Sequence, residues 1–264
     1  MQTHEKPVEL NTRQEKMLAL VRQRGFVSVE AFARHFEVTA QTIRRDINEL
    51  CDAGMLRRYH GGAGLPSSVE NVEYSTRQVM HLEEKRRIAR ALAEHIPNQA
   101  SLFITLGTTP EEVAKALTGH TGLRVITNNL NVAMILSDNP SFEVILAGGV
   151  VRHRDRGITG EATIDFIRQF KVDFGIIGIS GIDAQGALLD FDYHEVRVQK
   201  AIIENSRCVY LAADRSKFGR DALVRLGDMA DVDTLFTDAP PPREIRSMLE
   251  DAGHAVIVAD KEPA

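Results

Sequence analysis

Seven short apolar runs, separated by segments of helical spacing, place the strongest constraint on how this 264-residue chain folds. The runs lie at 101–105, 123–127, 142–149, 172–180, 208–213, 233–238 and 254–259, and helices are predicted near 110–118, 129–137, 160–170, 192–205 and 242–252. Because the runs are continuously apolar, they indicate strands buried on both faces. The predicted fold class is therefore α/β, with a mostly parallel sheet covered by helices.

The N-terminal part of the chain has a different pattern, of short helices separated by tight turns. A first helix is predicted from Thr12, with Thr12 and Glu15 as a capping box and Gly25 as its end. Ser28 is predicted to cap a second helix and Thr39 a third. Helix, helix, short turn and helix is the order of a helix-turn-helix domain.

The third predicted helix has one apolar and one polar side. Ile43, Ile47 and Leu50 share a face at spacings of four and three, so this face is predicted to pack inward. The residues predicted to contact DNA from this helix are Thr39, Gln41, Thr42, Arg44 and Arg45. Arg pairs with guanine and Gln with adenine in the major groove. Taken alone, the helix is equally typical of a solvated amphipathic surface.

The segment after Gly54 predicts a small β-ribbon, or wing, because apolar and basic residues are followed by two glycines. Arg58 and His60 in it are predicted to contact phosphate or the minor groove. In isolation Arg57 and Arg58 are more typical of solvated surface. Their position directly behind a recognition helix favours DNA contact.

The charge is spread unevenly along the chain. Residues 1–60 hold 10 Lys and Arg against 8 Asp and Glu, a charge of +2, whereas the remainder holds 22 against 29, a charge of −7, so the whole chain has a net charge of −5. A basic head on an acidic body fits local DNA contact better than nonspecific coating. No apolar run is long enough to span a bilayer and no signal peptide is evident, so a cytoplasmic location is expected.

Cysteine usage and spacing predict neither a disulfide nor a bound cofactor. Cys51 and Cys208 are far apart and lack a CxxC partner, which favours reduced structural thiols. No metal-ligand spacing such as HExxH occurs, so no metal is predicted.

A Gly/Pro/Ser hinge at 64–68 divides the chain into a DNA-binding domain at 1–63, a linker at 64–80 and a sensing domain at 81–264.

Polar loops follow four of the predicted strands, where ligands of parallel sheets bind. The predicted effector-binding residues in these loops are Gly107, Thr108, Thr109, Thr127, Asn128, Asn129, Ser180, Gly181, Asp183 and Lys217. Glycine, threonine hydroxyls and helix-start amides can cradle a phosphate, and a lysine supplies a cation. Each loop alone has an ordinary turn composition. Four at matching strand ends indicate a small phosphorylated ligand.

Three further features near these loops have a plain structural interpretation beside any functional one. Glu195 could accept ligand hydroxyls, although an acid in the first turn of a helix is also favoured by the helix dipole. The charged run at 152–156 is expected to be a solvated loop. His194 has no identifiable partner and is assigned no role.

The motifs of the head resemble a known family. The segment from Arg13 to Ile47, with its TAQTIRRDI core, and the LRRYHGGA wing are similar to the winged helix-turn-helix of the DeoR family of bacterial transcriptional repressors. By this resemblance Gln41, Thr42, Arg44 and Arg45 fall where the family meets DNA. The partner implied is double-stranded operator DNA.

Segments of the body extend the resemblance to one member of this family; they include GTTPE, TNNLNVA, GISGID, FDYHEVR and SKFGR. The resemblance implies a repressor of glycerol and glycerol 3-phosphate metabolism genes that glycerol 3-phosphate releases from operator DNA. It also implies a homo-oligomer, for which the family suggests a tetramer. Phosphate-cradling loops do not specify a carbon skeleton, so a repressor responding to another sugar phosphate is an alternative.

The body of this family resembles ribose-5-phosphate isomerase, reused as a sensor. The isomerase's Asp-Gly-Ala-Asp motif falls on residues 180–183, and the neutral Ser180 cannot perform the proton transfer of the first Asp. The resemblance matches Glu195 and Lys217 to other isomerase site residues. It therefore implies a retained pocket without catalytic residues. An active sugar-phosphate isomerase with a DNA-binding head is the remaining alternative.

Overall fold

The computed structural model of the chain describes residues 10–24, 26–53, 55–59, 61–64 and 71–259. Gly25, predicted to end the first helix, and hinge residues 65–68 lie outside these ranges. The chain forms two compact units, Met1–Ser68 and Val69–Ala264. The first unit contains helices α1 (Thr12–Arg24), α2 (Val29–Phe36) and α3 (Ala40–Asp52) and strands β1 (Phe26–Ser28), β2 (Arg57–Tyr59) and β3 (Gly62–Gly64). The strands form an antiparallel sheet in the order β1-β3-β2, which gives the winged helix-turn-helix layout.

The three helices of the first unit pack around one apolar cluster. Phe32 of α2 and Ile43, Ile47 and Leu50 of α3 are at most 1% exposed within it. The inward face predicted for α3 is therefore confirmed. Ser28 caps α2 as predicted, because its hydroxyl accepts a hydrogen bond from the Ala31 backbone N–H.

The start of α1 corrects one prediction. Asn11 Oδ1 accepts from the Gln14 backbone N–H at 2.9 Å, and Gln14 Oε1 accepts from the Asn11 N–H at 3.0 Å. This reciprocal pair is a capping box one residue before the predicted Thr12 and Glu15 pair. Amide side chains make the same two bonds as Thr and Glu, and Asn is the better cap of the two candidates.

The second unit is built around a parallel sheet of seven strands. These are β4 (Ser101–Ile104), β5 (Arg124–Thr127), β6 (Glu143–Leu146), β7 (Val172–Ile177), β10 (Ser206–Ala212), β12 (Thr234–Thr237) and β13 (Ala255–Val258), in the order β13-β12-β10-β7-β4-β5-β6. The helices are α4 (Tyr74–Val79), α5 (Leu82–Ala93), α6 (Thr108–Ala116), α7 (Leu130–Leu136), α8 (Glu161–Ile167), α9 (Tyr193–Glu204) and α10 (Arg243–Asp251). All seven predicted apolar runs form strands of this sheet, and the five predicted intervening helices are present.

The strand order locates the site. Apolar clusters that include Ile88 and Leu92, and Ile202 and Leu235, bury the sheet's strands. From β4 the chain proceeds outward through β5 and β6, and from β7 it proceeds the other way through β10, β12 and β13. The order thus reverses between β4 and β7. Loops leaving these two strands diverge and form a crevice at their carboxyl ends.

Two features of the second unit have no counterpart in the predictions. Strands β8 (Gly181–Ile182), β9 (Ala187–Asp190) and β11 (Val224–Asp228) form a small antiparallel sheet in the order β11-β9-β8. Helix α4 forms inside the range predicted as linker and has no buried residue. The sequence of α4 therefore lacks the apolar spacing by which a helix would have been predicted. Among the described residues, no helix has the length and apolar character needed to cross a membrane.

Candidate functional site

The side of α3 opposite its buried face is polar and basic. Thr39 Oγ1 accepts from the Thr42 N–H at 3.2 Å and lies 2.9 Å from Thr42 Oγ1, so both hydroxyls are engaged at the helix start. Gln41, Arg44 and Arg45 are exposed. The first turns of α3 thus present an amide and two guanidinium groups on one surface, as contact with base edges or phosphates requires.

The wing lies beside this surface. Arg58 is exposed on β2, and Arg58 and Arg44 border the same groove together with Glu30 and Gly61. Gly61 has φ +81°, which the turn between β2 and β3 requires and which favours glycine. His60, the other predicted wing contact, lies outside the described residues.

Two long-range contacts hold α3 against α1. Arg13 donates from Nε and Nη2 to the buried Asp46 carboxylate at 2.6 and 3.0 Å. Gln14 Nε2 donates to Glu49 Oε2 at 2.6 Å, and Glu49 Oε1 accepts from Arg45 Nε at 3.1 Å. These contacts orient the recognition helix and one of its arginines. Sequence reasoning missed them because polar pairs more than thirty residues apart leave no periodic pattern.

A cleft that is partly open to solvent lies where the strand order reverses. Its lining residues are Tyr74, Arg77, Leu106, Gly107, Thr108, Thr109, Pro110, Asp155, Gly178, Ile179, Ser180, Asp190, Glu195, Gln199 and Lys217. Six predicted effector residues are thereby brought together, namely Gly107, Thr108, Thr109, Ser180, Glu195 and Lys217.

The N-terminus of α6 forms one wall of the cleft. Gly107, the N-cap residue, has φ +132° and provides no side chain to bond the first amides of the helix. A Cβ at this position would lie 3.1 Å from Pro110 Cδ, so the tight entry into the helix also favours glycine. Thr108 and Thr109 are buried beside it. An uncapped helix start with adjacent hydroxyls is able to bind an anion.

Positively charged side chains line the same cleft as the start of α6. Among the residues that the structure describes, neither Arg77 nor Lys217 has a carboxylate partner within 4.0 Å. Burial lowers the pKa of the Lys217 ammonium, and nearby Asp214 opposes this shift. Burial, with a further contribution from Lys217, lowers the pKa of Lys85 to about 8. An anionic ligand would relieve this accumulation of partly buried positive charge.

Buried carboxyl groups lie in the same cleft. Ser180 Oγ donates to Asp190 Oδ1 at 2.9 Å, and the Phe191 N–H donates to the same oxygen at 2.7 Å. Burial raises the pKa of Asp190. Burial, followed by repulsion from Asp190, raises the pKa of Glu195 to about 7. Carboxylate oxygens at this position can accept hydrogen bonds from ligand hydroxyl groups.

The charged run at 152–156 is not a solvated loop throughout. The Arg152 side chain is 19% exposed and forms ion pairs with Asp155, Asp192 and Glu195. Arg152 therefore orients Glu195 in the cleft. The prediction was wrong for Arg152 because its partners lie up to 43 residues away in sequence and the run itself has an ordinary loop composition.

Three predicted effector residues lie behind the cleft. Thr127 Oγ1 donates to the Ile104 carbonyl at 2.7 Å, and Asn128 Nδ2 donates to the Ile158 carbonyl at 2.9 Å. Asn129 caps α7 and is fully buried. These side chains hold the loops after β4 and β5 in place and do not line the cleft.

Two other predicted effector residues shape the small antiparallel sheet. A Cβ on Gly181 would lie 2.0 Å from the Arg220 carbonyl oxygen, so this position accommodates only glycine without movement of the backbone. Asp183 accepts from two backbone N–H groups, of Gln185 and Ala187, in the turn between β8 and β9. Neither residue lines the cleft. Sequence reasoning instead missed Tyr74, Arg77 and Asp190, which do.

Comparison with known proteins decides the family. Residues 80–239 match the family described as DeoR C terminal sensor domain, and residues 13–69 match the DeoR-like helix-turn-helix domain. This chain belongs to the DeoR family. It is accordingly a DNA-binding transcriptional repressor with a sensor domain, and the winged helix-turn-helix and the α/β unit are the two parts that the DeoR family combines.

Individual DeoR-family relatives cover nearly the whole chain. The glycerol-3-phosphate regulon repressor of Escherichia coli (strain K12) is 56% identical over 239 residues, covering 90% of this chain and 95% of that protein. The repressor of the same name from Haemophilus influenzae is 51% identical over 94% of this chain and 97% of its own length. The HTH-type transcriptional repressor CsqR of Escherichia coli is 40% identical over 96% of this chain and 97% of its own length.

Solved structures are more distant. Ribose 5 phosphate isomerase A from Neisseria gonorrhoeae is 16% identical, with a TM-score of 0.37 over 51% of this chain and 52% of that chain. The chain of eIF2B delta from Chaetomium thermophilum is 13% identical, with a TM-score of 0.47 over 60% of this chain and 57% of that chain. Similarity of this extent says nothing about function.

Proposed function

We propose that this DeoR-family repressor controls genes of glycerol and glycerol 3-phosphate metabolism and leaves its operator when glycerol 3-phosphate occupies the cleft. The observation that carries this proposal is the composition of the cleft. An uncapped helix start, cations that have no ion-pair partner among the described residues, and hydrogen-bond acceptors lie together in it. The names of two relatives more than half identical to this chain support the choice of glycerol 3-phosphate.

The cleft offers different groups to the two ends of such a ligand. The amides and hydroxyls of Thr108 and Thr109, with the Lys217 ammonium, suit a phosphate. Ser180 and Glu195 suit the hydroxyl groups of a short polyol, since both can accept hydrogen bonds. Thr127, Asn128 and Asn129, together with Gly181 and Asp183, support these groups from behind.

The head recognises operator DNA through α3 and the wing. We assign base or phosphate contacts to Gln41, Thr42, Arg44 and Arg45, with Thr39 at the helix start and Arg58 and His60 from the wing. In this proposal residues 1–63 form the DNA-binding domain and 81–264 the sensing domain, and the connection at 64–80 also contributes Tyr74 and Arg77 to the cleft. Paired heads in a cytoplasmic homo-oligomer, a tetramer in this proposal, would supply the affinity that one small head lacks.

Regulation without catalysis is the second part of the proposal. Ser180 cannot serve as the proton-transfer acid or base that an isomerase needs at this position. Glu195, with its pKa of about 7, is the one observation that favours an active sugar-phosphate isomerase, but Arg152 holds its carboxylate in an ion pair. Incubation with pentose phosphates should yield no isomerised product, and turnover abolished by Glu195→Gln would establish the isomerase instead.

Calorimetric titration of the full chain tests the effector. Glycerol 3-phosphate should bind, and fructose 1-phosphate and ribose 5-phosphate should bind more weakly. Tighter binding of one of the other two would preserve the cleft and replace the effector. Absence of heat and of thermal stabilisation with all three would refute a phosphate site.

A further inference from the structure

Helix α4 is fixed to the wall of the cleft at its first residue. Tyr74 Oη donates to Glu111 Oε2 at 2.6 Å and accepts from Asn131 Nδ2 at 2.8 Å. Glu111 belongs to α6, the helix whose N-terminus lines the cleft, and is only 5% exposed. Burial and the hydrogen bond to Glu111 raise the pKa of the Tyr74 hydroxyl. This tyrosine thus ties α4 directly to the phosphate-binding wall.

The residues before α4 reach the other wall. Asn71 Nδ2 donates to Ser180 Oγ at 3.2 Å, and Asn71 Oδ1 accepts from Arg220 Nη2 at 2.9 Å. Ser180 is also the residue that bonds the buried Asp190. A ligand at Ser180 therefore meets a group that is already in contact with the segment leading into α4.

The last turn of α4 supplies a cation. Arg77 lines the cleft, its Nε donates to the Val72 carbonyl at 3.1 Å, and its guanidinium lies 5.7 Å from the centroid of the Tyr74 ring. The buried Lys85 ammonium of α5 donates a short hydrogen bond to the Arg77 carbonyl. The Arg77 backbone is thereby held in place while its side chain is available to an anion.

We propose that α4 is part of the effector site and carries the response to the effector. Arg77 contributes a cation to the ligand phosphate, and ligand binding stabilises the packing of α4 against α6. The packed state of α4 is the state with low operator affinity. The identity of the ligand rests on the proposed function; the role of α4 rests on its own contacts.

Connectivity explains why this helix would matter for DNA binding. Nine residues separate Gly64, the end of the wing, from Tyr74, the start of α4. Among the described residues, α4 is therefore the first element of the sensor unit that follows the DNA-binding unit in the chain. A ligand that favours one of two arrangements of α4 shifts the population by its difference in affinity for them, and operator DNA must oppose it reciprocally.

Hydrogen exchange and operator titration of the full chain without effector form the first test. Tyr74→Phe removes the bond to Glu111, and Ser75→Ala removes an exposed hydroxyl from the same helix as the matched control. Tyr74→Phe should speed exchange of the 74–79 amides and tighten operator binding about threefold to tenfold, the range for one hydrogen bond. Unchanged exchange, or faster exchange with unchanged or weaker operator binding, overturns the coupling role.

Effector binding is the second test. Arg77→Gln should weaken glycerol 3-phosphate binding about tenfold to a hundredfold, the range for a charge-assisted hydrogen bond, and Arg77→Lys should restore part of it. Wild-type affinity in Arg77→Gln overturns the contact to phosphate. If the wild-type protein binds no sugar phosphate, the proposed effector is wrong, and the effector-free comparison of Tyr74→Phe with Ser75→Ala still decides the role of α4.

Discussion

The Arg13 guanidinium donates two hydrogen bonds, of 2.6 and 3.0 Å, to the Asp46 carboxylate and thereby fixes α3 to α1 in the head. The Asp46 side chain is 4% exposed and the Arg13 side chain 32% exposed. A carboxylate buried to this degree depends on its partner, because loss of the partner leaves a desolvated charge unpaired. The pair therefore links the stability of the head to the orientation of the residues that we propose contact DNA.

Removal of this partner should destabilise the head. Arg13→Ala is expected to lower the free energy of unfolding by about 1–3 kcal/mol, as expected when a hydrogen-bonded buried charge loses its partner. Urea titration followed by circular dichroism measures the change. Lys16→Ala, an exposed cation on the same helix, is the control. Equal unfolding free energies in the two variants would show that the pair contributes nothing.

Arg45 provides the test of the DNA-binding surface. Arg45→Ala should weaken operator binding; if Arg45 contacts phosphate, the salt slope falls by about 1, and if it reads a base, one base preference relaxes. Operator titrations at several salt concentrations distinguish these outcomes. Arg34→Ala, an exposed arginine on α2, is the matched control. An Arg45→Ala variant indistinguishable from Arg34→Ala at every salt concentration would remove Arg45 from the interface.

Lys217 and Thr108 test the cleft separately from the head. Lys217→Ala and Thr108→Ala should bind operator like the wild-type protein but require about tenfold more glycerol 3-phosphate for release, because each loses a hydrogen-bond donor to phosphate. Operator release is followed by fluorescence anisotropy. Lys200→Ala, an exposed lysine on α9, controls for loss of charge alone. Wild-type release in both cleft variants would move the effector site elsewhere.

Glu195 predicts a specific dependence of stability on pH. Its pKa is raised from 4.5 to about 7, first by burial and then by Asp190. A carboxyl group with a higher pKa in the folded state favours folding when protonated, so its contribution is fully present below the unfolded pKa and is lost as pH rises through about 7. Glu195→Gln cannot ionise and lacks this loss. The melting temperature of the variant should therefore gain on that of the wild-type protein between about pH 5 and pH 8. Parallel melting curves across this range would contradict the raised pKa.

Periodic and continuous apolar patterns were sufficient to predict the sheet and the inward face of α3. Strands buried on both faces leave an uninterrupted apolar run, and Ile43, Ile47 and Leu50 repeat at the spacing of a helix. The polar loop after β4 was also predicted from sequence, and its residues Gly107, Thr108 and Thr109 line one wall of the cleft. Gly107 is favoured by the tight entry into α6, where a Cβ would lie 3.1 Å from Pro110 Cδ.

Long-range polar contacts could not be predicted in this way. Ser180 meets Asp190, and Arg152 meets Glu195 across 43 residues, without any repeating signal in the sequence. Helix α4 was assigned to a linker because polar contacts through Tyr74, rather than an apolar face, attach it to the sensor unit. The loop after β5 resembled a ligand loop because Asn and Thr serve equally well as ligand contacts and as caps.

Operator release measured by fluorescence anisotropy tests the central claim most directly. The full chain is titrated onto a labelled duplex that it has itself selected from a random pool, with and without glycerol 3-phosphate, fructose 1-phosphate or ribose 5-phosphate. Glycerol 3-phosphate should weaken duplex binding by at least about fivefold, the lower range of allosteric coupling, and the other two should act only at higher concentration. Duplex binding unchanged by saturating glycerol 3-phosphate would contradict the account.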